Sequence, residues 1–189
     1  MEAVGVPRAM RADARRNYER IICAAREAFG EQGAEAALDD VAKRAGVGAG
    51  TLYRHFPTRD ALIEAVYRAD IVALVDSAYR LVDELPPKEA LEAWLREQVR
   101  FVVYKNGLAQ TLKAAMDRGS ETFAWCRTSI TEAATLVVTN AQKAGVVRED
   151  LTGSALLRLG HGIGVAAVNA SEGDGACMFK VVLAGLRPE

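Results

Sequence analysis

The chain of 189 residues has few aromatics, 6% of the total, with five prolines, three cysteines and two histidines. Cys23, Cys126 and Cys177 are far apart in sequence and have no metal-ligand spacing, which argues against a disulfide framework or a zinc site. The expectation is three reduced, mostly buried thiols in a cytoplasmic protein. The best apolar run, 162–170, is too short to span a bilayer, and the first residues carry no apolar signal core. No membrane segment or leader is therefore expected. The formal net charge is −1, so no bulk excess of base announces a polyanionic partner. No nucleophile–base pair of informative spacing, phosphate-cradling glycine loop or metal cluster occurs, so neither catalysis nor a cofactor or metal is expected.

What the chain does have is apolar residues, 50% of the total, enough for a sizeable core. Strand-like alternation is missing, and helical spacing recurs throughout. The expected fold is all-α with about nine helices, over roughly 12–32, 38–45, 49–56, 58–84, 88–105, 108–117, 120–144, 153–170 and 175–186. Gly33, Gly46, Pro57, Pro86-Pro87, Gly107, Gly119, Gly145 and the glycine-rich stretch from Ser171 to Gly175 supply the breaks. The expected domains are a head over 1–57, including an N-terminal arm, and a helical body over 58–189. The long fourth helix joins them.

Charge is unevenly distributed. Arg8, Arg11, Arg15, Arg16, Arg20 and Arg26 crowd the beginning, and Lys43, Arg44, Arg54 and Arg59 face no acid between Val41 and Arg59. Such local base attracts phosphate even in a near-neutral chain. The same region holds a helix-turn-helix pattern. Val41, Ala42 and Ala45 share one helix face, Gly46 follows where the chain must turn with positive φ, and Val47 and Leu52 can fill the space between two crossing helices. The second helix of such a unit enters the major groove of DNA by its N-terminal end. Gly48, Ala49 and Gly50 permit close backbone approach there. Thr51, Tyr53, Arg54 and His55 supply contacts, Arg59 is placed for a backbone phosphate, and Arg11 and Arg15 belong to the basic arm.

The string Val41-Ala42-x-x-Ala45-Gly46-Val47-x-x-Gly50-Thr51-Leu52-Tyr53-x-His55-Phe56, followed by Arg59-Asp60-x-Leu62, resembles the signature of the tetracycline-repressor (TetR) family. Ile21-Ile22-x-Ala24-Ala25-x-x-x-Phe29-x-x-x-Gly33 is similar to that family's first helix, and residues 144–150 to the loop before its last two helices. The resemblance is specific over about 15–66 and architectural beyond. It implies an all-α, Ω-shaped homodimer with N-terminal DNA-binding heads and C-terminal effector pockets. The implied function is a regulator, most plainly a repressor released from a pseudo-palindromic operator by an unknown small molecule. The alternative is an interaction adaptor that keeps the fold without ligand response. Two departures stand out. Ala37 and Gly48 replace hydroxyl residues that commonly cap the two helices and touch phosphate. Anchoring is therefore expected to lean on backbone amides, Arg59 and the arm.

In the body, Trp94, Phe101, Tyr104, Met116, Phe123, Trp125 and Cys126 are the candidate pocket lining, and ordinary core packing competes for each of them. Few charges interrupt these helices, so an apolar pocket is expected, although Arg100, Asp117, Arg118, Glu121 and Arg127 could orient a polar ligand if turned inward. His161 is read as a core or interface histidine. Leu156, Leu159, Gly160, Ile163 and Gly164, with Phe179, Val182, Leu183 and Leu186, form two stripes assigned to a dimer interface.

Overall fold

The computed structural model describes residues 12–106, 121–168 and 170–188. Among these residues the chain is helical, with no strand. Its helices are α1 (Ala12–Gln32), a 3-10 turn (Gly33–Glu35), α2 (Leu38–Arg44), α3 (Ala49–His55), α4 (Arg59–Glu84), α5 (Pro87–Lys105), α6 (Glu121–Lys143), α7 (Gly153–Ala167) and α8 (Glu172–Gly185). The helix expected at 108–117 lies outside the described residues, as does the arm.

Local chemistry sets the boundaries. Gly33 has φ of 71° and stops α1. Thr58 Oγ1 accepts from the Ala61 amide at 3.1 Å and starts α4. Pro87 stands at the first position of α5, where its missing N–H costs nothing. Thr152 Oγ1 accepts from the Ala155 amide at 3.1 Å, and Ser171 Oγ from that of Asp174 at 3.2 Å. The Ser171 cap lets α8 begin at Glu172, earlier than its glycines suggest.

The chain divides into two compact units, one ending at Val66 and the other beginning at Tyr67. The boundary expected after residue 57 thus moves into α4, whose first turns supply the buried Leu62, Ile63 and Val66 to the first unit. The first unit also buries Ile21, Ala25, Ala28 and Phe29 of α1 with Val41, Ala42 and Leu52. In the second unit one core unites Trp94 and Leu95 of α5, Val137 and Val138 of α6, Leu156 and Ile163 of α7, and Phe179 and Leu186 of α8.

Glycines bring α7 close to its neighbours. A Cβ on Gly153 would lie 2.6 Å from the Thr135 amide nitrogen, and one on Gly164 would lie 2.5 Å from Val102 Cγ1. A Cβ on Gly160 would overlap Gln98 Oε1. Gly160 and Gly164 therefore serve packing against α5 within the chain, which corrects their assignment to a dimer surface. The same correction applies to Leu156, Ile163, Phe179 and Leu186, which are core, whereas Val182 and Leu183 are half-buried beside it. A terminal helix commits its strongest apolar stripe to its own core first. Of the residues assigned to that surface, only Leu159 is left exposed.

Neither Ala37 nor Gly48 gives a side-chain cap, yet both hold the extended backbone that a cap requires (φ −66°, ψ 127° and φ −71°, ψ 149°). Ala37→Ser is expected to add about 1 kcal/mol to stability. That would raise the thermal midpoint by roughly 2–4 °C in a chain of this size, as read by calorimetry.

Candidate functional site

The turn between α2 and α3 is fixed by backbone chemistry. Gly46 has φ of 61°. Its amide donates to the Lys43 carbonyl at 3.0 Å, and the Val47 amide donates to that of Ala42 at 3.0 Å. This is the paired closure of a helix ending on a left-handed residue. Arg20 reaches over from α1 and donates from Nη2 to the Gly46 carbonyl at 3.1 Å, occupying the space a Cβ at Gly46 would need. Arg44 of α2 is joined to Glu31 of α1 at 2.7 Å, and this contact holds the Glu31 carboxyl below its ordinary range.

Around this scaffold the outer face of α3 is open. Gly48, Ala49, Gly50 and Arg54 are exposed, Thr51 is half-buried, and Tyr53 is 47% exposed while Leu52 beside it is fully buried. A Cβ built on Gly48 or Gly50 meets nothing within 4 Å, so the backbone there is unscreened. Arg54 Nε donates to the Gly50 carbonyl at 3.1 Å, which lays the guanidinium along α3. His55 is half-buried, its ring 6.2 Å from that of Tyr18 and 6.1 Å from that of Phe56. It joins α3 to α1 as well as bordering the face.

Arg59 behaves differently from the sequence reading. Its Nη1 donates to the carbonyls of Ala34 and Ala36, both at 2.6 Å, so both protons of that nitrogen close the turn before α2. Only Nε and Nη2 remain for phosphate. Arg15 is exposed and paired with Glu19 at 2.9 Å, and Arg11 lies outside the described residues. Sequence reasoning counted Arg20, Arg44 and Arg59 as charge, whereas the fold uses all three to brace the helix-turn-helix.

The second unit holds a cavity of about 180 Å³ between α4, α5, α6 and α7. Ile71, Leu74, Val102, Ile130 and Leu157 form apolar walls, and Tyr67 and Phe101 add aromatic faces. Gln98, Lys105 and His161 add three polar groups to this mostly apolar lining. Lys105 Nζ lies 5.0 Å from the Phe101 ring centre and 5.7 Å from that of Tyr67. Burial pulls its ammonium below the ordinary lysine value and pushes the Tyr67 hydroxyl up to about 12.

Of the candidate pocket residues, Phe101 lines this cavity. Trp94 does not. It is 0% exposed, and its Nε1 donates to the Leu74 carbonyl at 2.9 Å, which makes it a core residue. Phe123 is buried with its ring 5.1 Å from that of Tyr67, Cys126 is buried, and Tyr104 is half-buried. Trp125 is 43% exposed beneath the Arg68 guanidinium. Met116, Asp117 and Arg118 lie outside the described residues, and Arg100, Glu121 and Arg127 are exposed. Cys23 and Cys177 are also exposed, against the expectation of mostly buried thiols. No helix among the described residues is long and apolar enough to cross a membrane.

His161 stands at the cavity, exposed rather than in the core. Burial and then the Lys105 charge lower its pKa. It is expected to titrate below the ordinary imidazole value when followed by ring-proton NMR. Lys105→Met is expected to move it upward without restoring it fully, because the partial burial remains.

Residues 21–66 match the family model of bacterial regulatory proteins of the tetR family, and residues 86–188 match the C-terminal domain of SbtR-like transcriptional regulators. The chain belongs to the TetR family of transcriptional regulators. A TetR transcriptional regulator from Streptomyces coelicolor is 38% identical, with a TM-score of 0.80 over 90% of this chain and 98% of that one. A TetR regulator from Mycobacterium vanbaalenii is 31% identical, with a TM-score of 0.71 over 93% and 98%. An HTH-type transcriptional regulator of Staphylococcus aureus is 30% identical over 111 residues, 58% of this chain. The chain spans about 60% of the length of the curated relatives it matches. In a TetR regulator the exposed face of α3 belongs to the DNA-binding head, and the fold is that of regulators rather than enzymes.

Proposed function

We propose that the chain is a cytoplasmic homodimeric repressor, released from a pseudo-palindromic operator when a small molecule occupies the body. The observation that carries the DNA role is the open face of α3, with Thr51, Tyr53 and Arg54 outward on a braced turn. The observation that favours self-association lies on α7 and α8. Leu159, Gly162 and Ala166 make an exposed apolar stripe on α7, flanked by Val165 at 47% exposure. Cys177, Val181 (65% exposed) and Ala184 make another on α8. Apolar stripes of this kind fit an isologous interface, where each patch meets its own copy. Ligand response is supported by the cavity between α4, α5, α6 and α7, since a ligand shifts an equilibrium by its differential affinity for two states.

Footprinting on the DNA upstream of the gene tests the first part. A protected pair of half-sites, with binding that weakens steeply in salt, is expected. Light scattering tests the second. Wild type should be a dimer at micromolar concentration, and Val181→Asp should be a folded monomer with weakened operator binding. A wild-type monomer that binds the operator at full strength would sink the dimer reading.

A further inference from the structure

We propose that the cavity beside Lys105 takes a small organic carboxylate, with its apolar part against the aromatic walls and its anionic end on the Lys105 ammonium. This rests on the reading of the body as ligand-responsive and names the class of ligand.

Size comes first. The cavity measures about 180 Å³. A dry apolar cavity of about 150 Å³ accommodates benzene, so a ligand of one ring, or a short chain, with one polar group is the natural fit. Charge comes second. The arginine–carboxylate pairs in the second unit, such as Arg80 with Glu84 and Arg96 with Glu92, sit at the surface. Lys105 instead turns inward over two rings, and no carboxylate among the described residues pairs with it. The other titratable groups lining the cavity are His161 and the Tyr67 phenol, and none of these carries a negative charge near neutral pH. One ammonium facing a recess with no anion beside it leaves a positive potential that a low-dielectric wall focuses. A ring face compensates a cation only in part, whereas a carboxylate would compensate it fully.

The third polar group at the cavity, Gln98, is neutral. Gln98 is 5% exposed and uses Nε2 on the Leu157 carbonyl at 3.4 Å. Its Oε1 is buried without a donor. A buried acceptor in that state is uncommon in native proteins. This oxygen lies against Gly160 of α7, so it bears on helix packing, and the choice of ligand charge rests on Lys105.

The test is calorimetry on the full-length protein with benzoate and hexanoate against their neutral amides, benzamide and hexanamide. An operator mobility shift is run with the same compounds. Wild type is expected to bind an acid at least about tenfold more tightly than its amide, since the amide carbonyl can still accept from the ammonium but brings no opposite charge. Lys105→Met keeps the apolar stem and is expected to remove that preference while leaving amide binding within about twofold. Lys105→Arg is expected to retain it. Amides binding and releasing the operator as well as the acids would overturn the carboxylate assignment while leaving ligand response standing. An acid preference that survives in Lys105→Met would overturn it too. If the acids do not bind wild type, the assignment fails. If, in addition, no compound releases the operator, ligand response loses its support.

Discussion

Trp94→Ala is expected to destabilise the protein by about 3–5 kcal/mol and to lower the thermal midpoint by roughly 10 °C. The indole is fully buried at the centre of the second unit's core, among Leu91, Leu95, Val137 and Leu156, all 5% exposed or less. Truncation leaves a cavity that helices held together by glycine contacts on α7 cannot readily close. The lost hydrogen bond is the smaller part. The Leu74 carbonyl also accepts from Ser77 Oγ at 2.9 Å, so it keeps a partner when Nε1 is gone. Trp94→Phe should therefore cost much less than Trp94→Ala, on the order of 1 kcal/mol for the bond and the smaller ring. Denaturant unfolding of both variants measures the contrast. A ligand-contact role for Trp94 predicts the opposite pattern: near-normal stability with altered effector binding.

The two units differ in how much their sequences disclose. In the head, the residues that fix the turn are consecutive, and each has a local reason. Gly46 must take positive φ, Ala42 must be small and Leu52 must point inward, so spacing alone shows the geometry. What spacing hides is where long side chains go. Arg20, Arg44 and Arg59 look like a phosphate-facing patch, yet their partners are Gly46, Glu31, Ala34 and Ala36, which only the folded head brings near. In the body the helices are visible but their faces are not. α7 carries one apolar stripe through Leu156, Gly160 and Ile163 and another through Leu159, Gly162 and Ala166. Nothing local ranks them, and the first is the one that folding consumes. Lys105 was missed because a lysine in the last turn of a helix ordinarily complements the helix dipole in water. Its position over Tyr67 depends on α4, far away in sequence.

The head gives the second large effect. Tyr53→Ala is expected to weaken operator binding by about 10- to 100-fold, the range of one good base-edge or methyl contact, while binding to random DNA changes little. Tyr53 is half exposed on α3 beside Leu52, which anchors the helix from its other side, so removing the ring leaves the scaffold intact. The variant's unfolding curve should match wild type. Its salt dependence should also be unchanged, because no charge is lost. Arg54→Ala makes the informative comparison: a phosphate contact would lower the salt slope by about one and weaken all sequences alike. Arg59→Ala should do something else again. With Nη1 no longer holding the Ala34 and Ala36 carbonyls, the turn before α2 loses its brace. Stability and DNA binding should then fall together, and added salt should not separate them. If Tyr53→Ala costs specific and random DNA equally, Tyr53 does not read bases. Sequence discrimination would then fall to Thr51 and the backbone of Gly48 and Gly50, where no side chain stands between α3 and the groove.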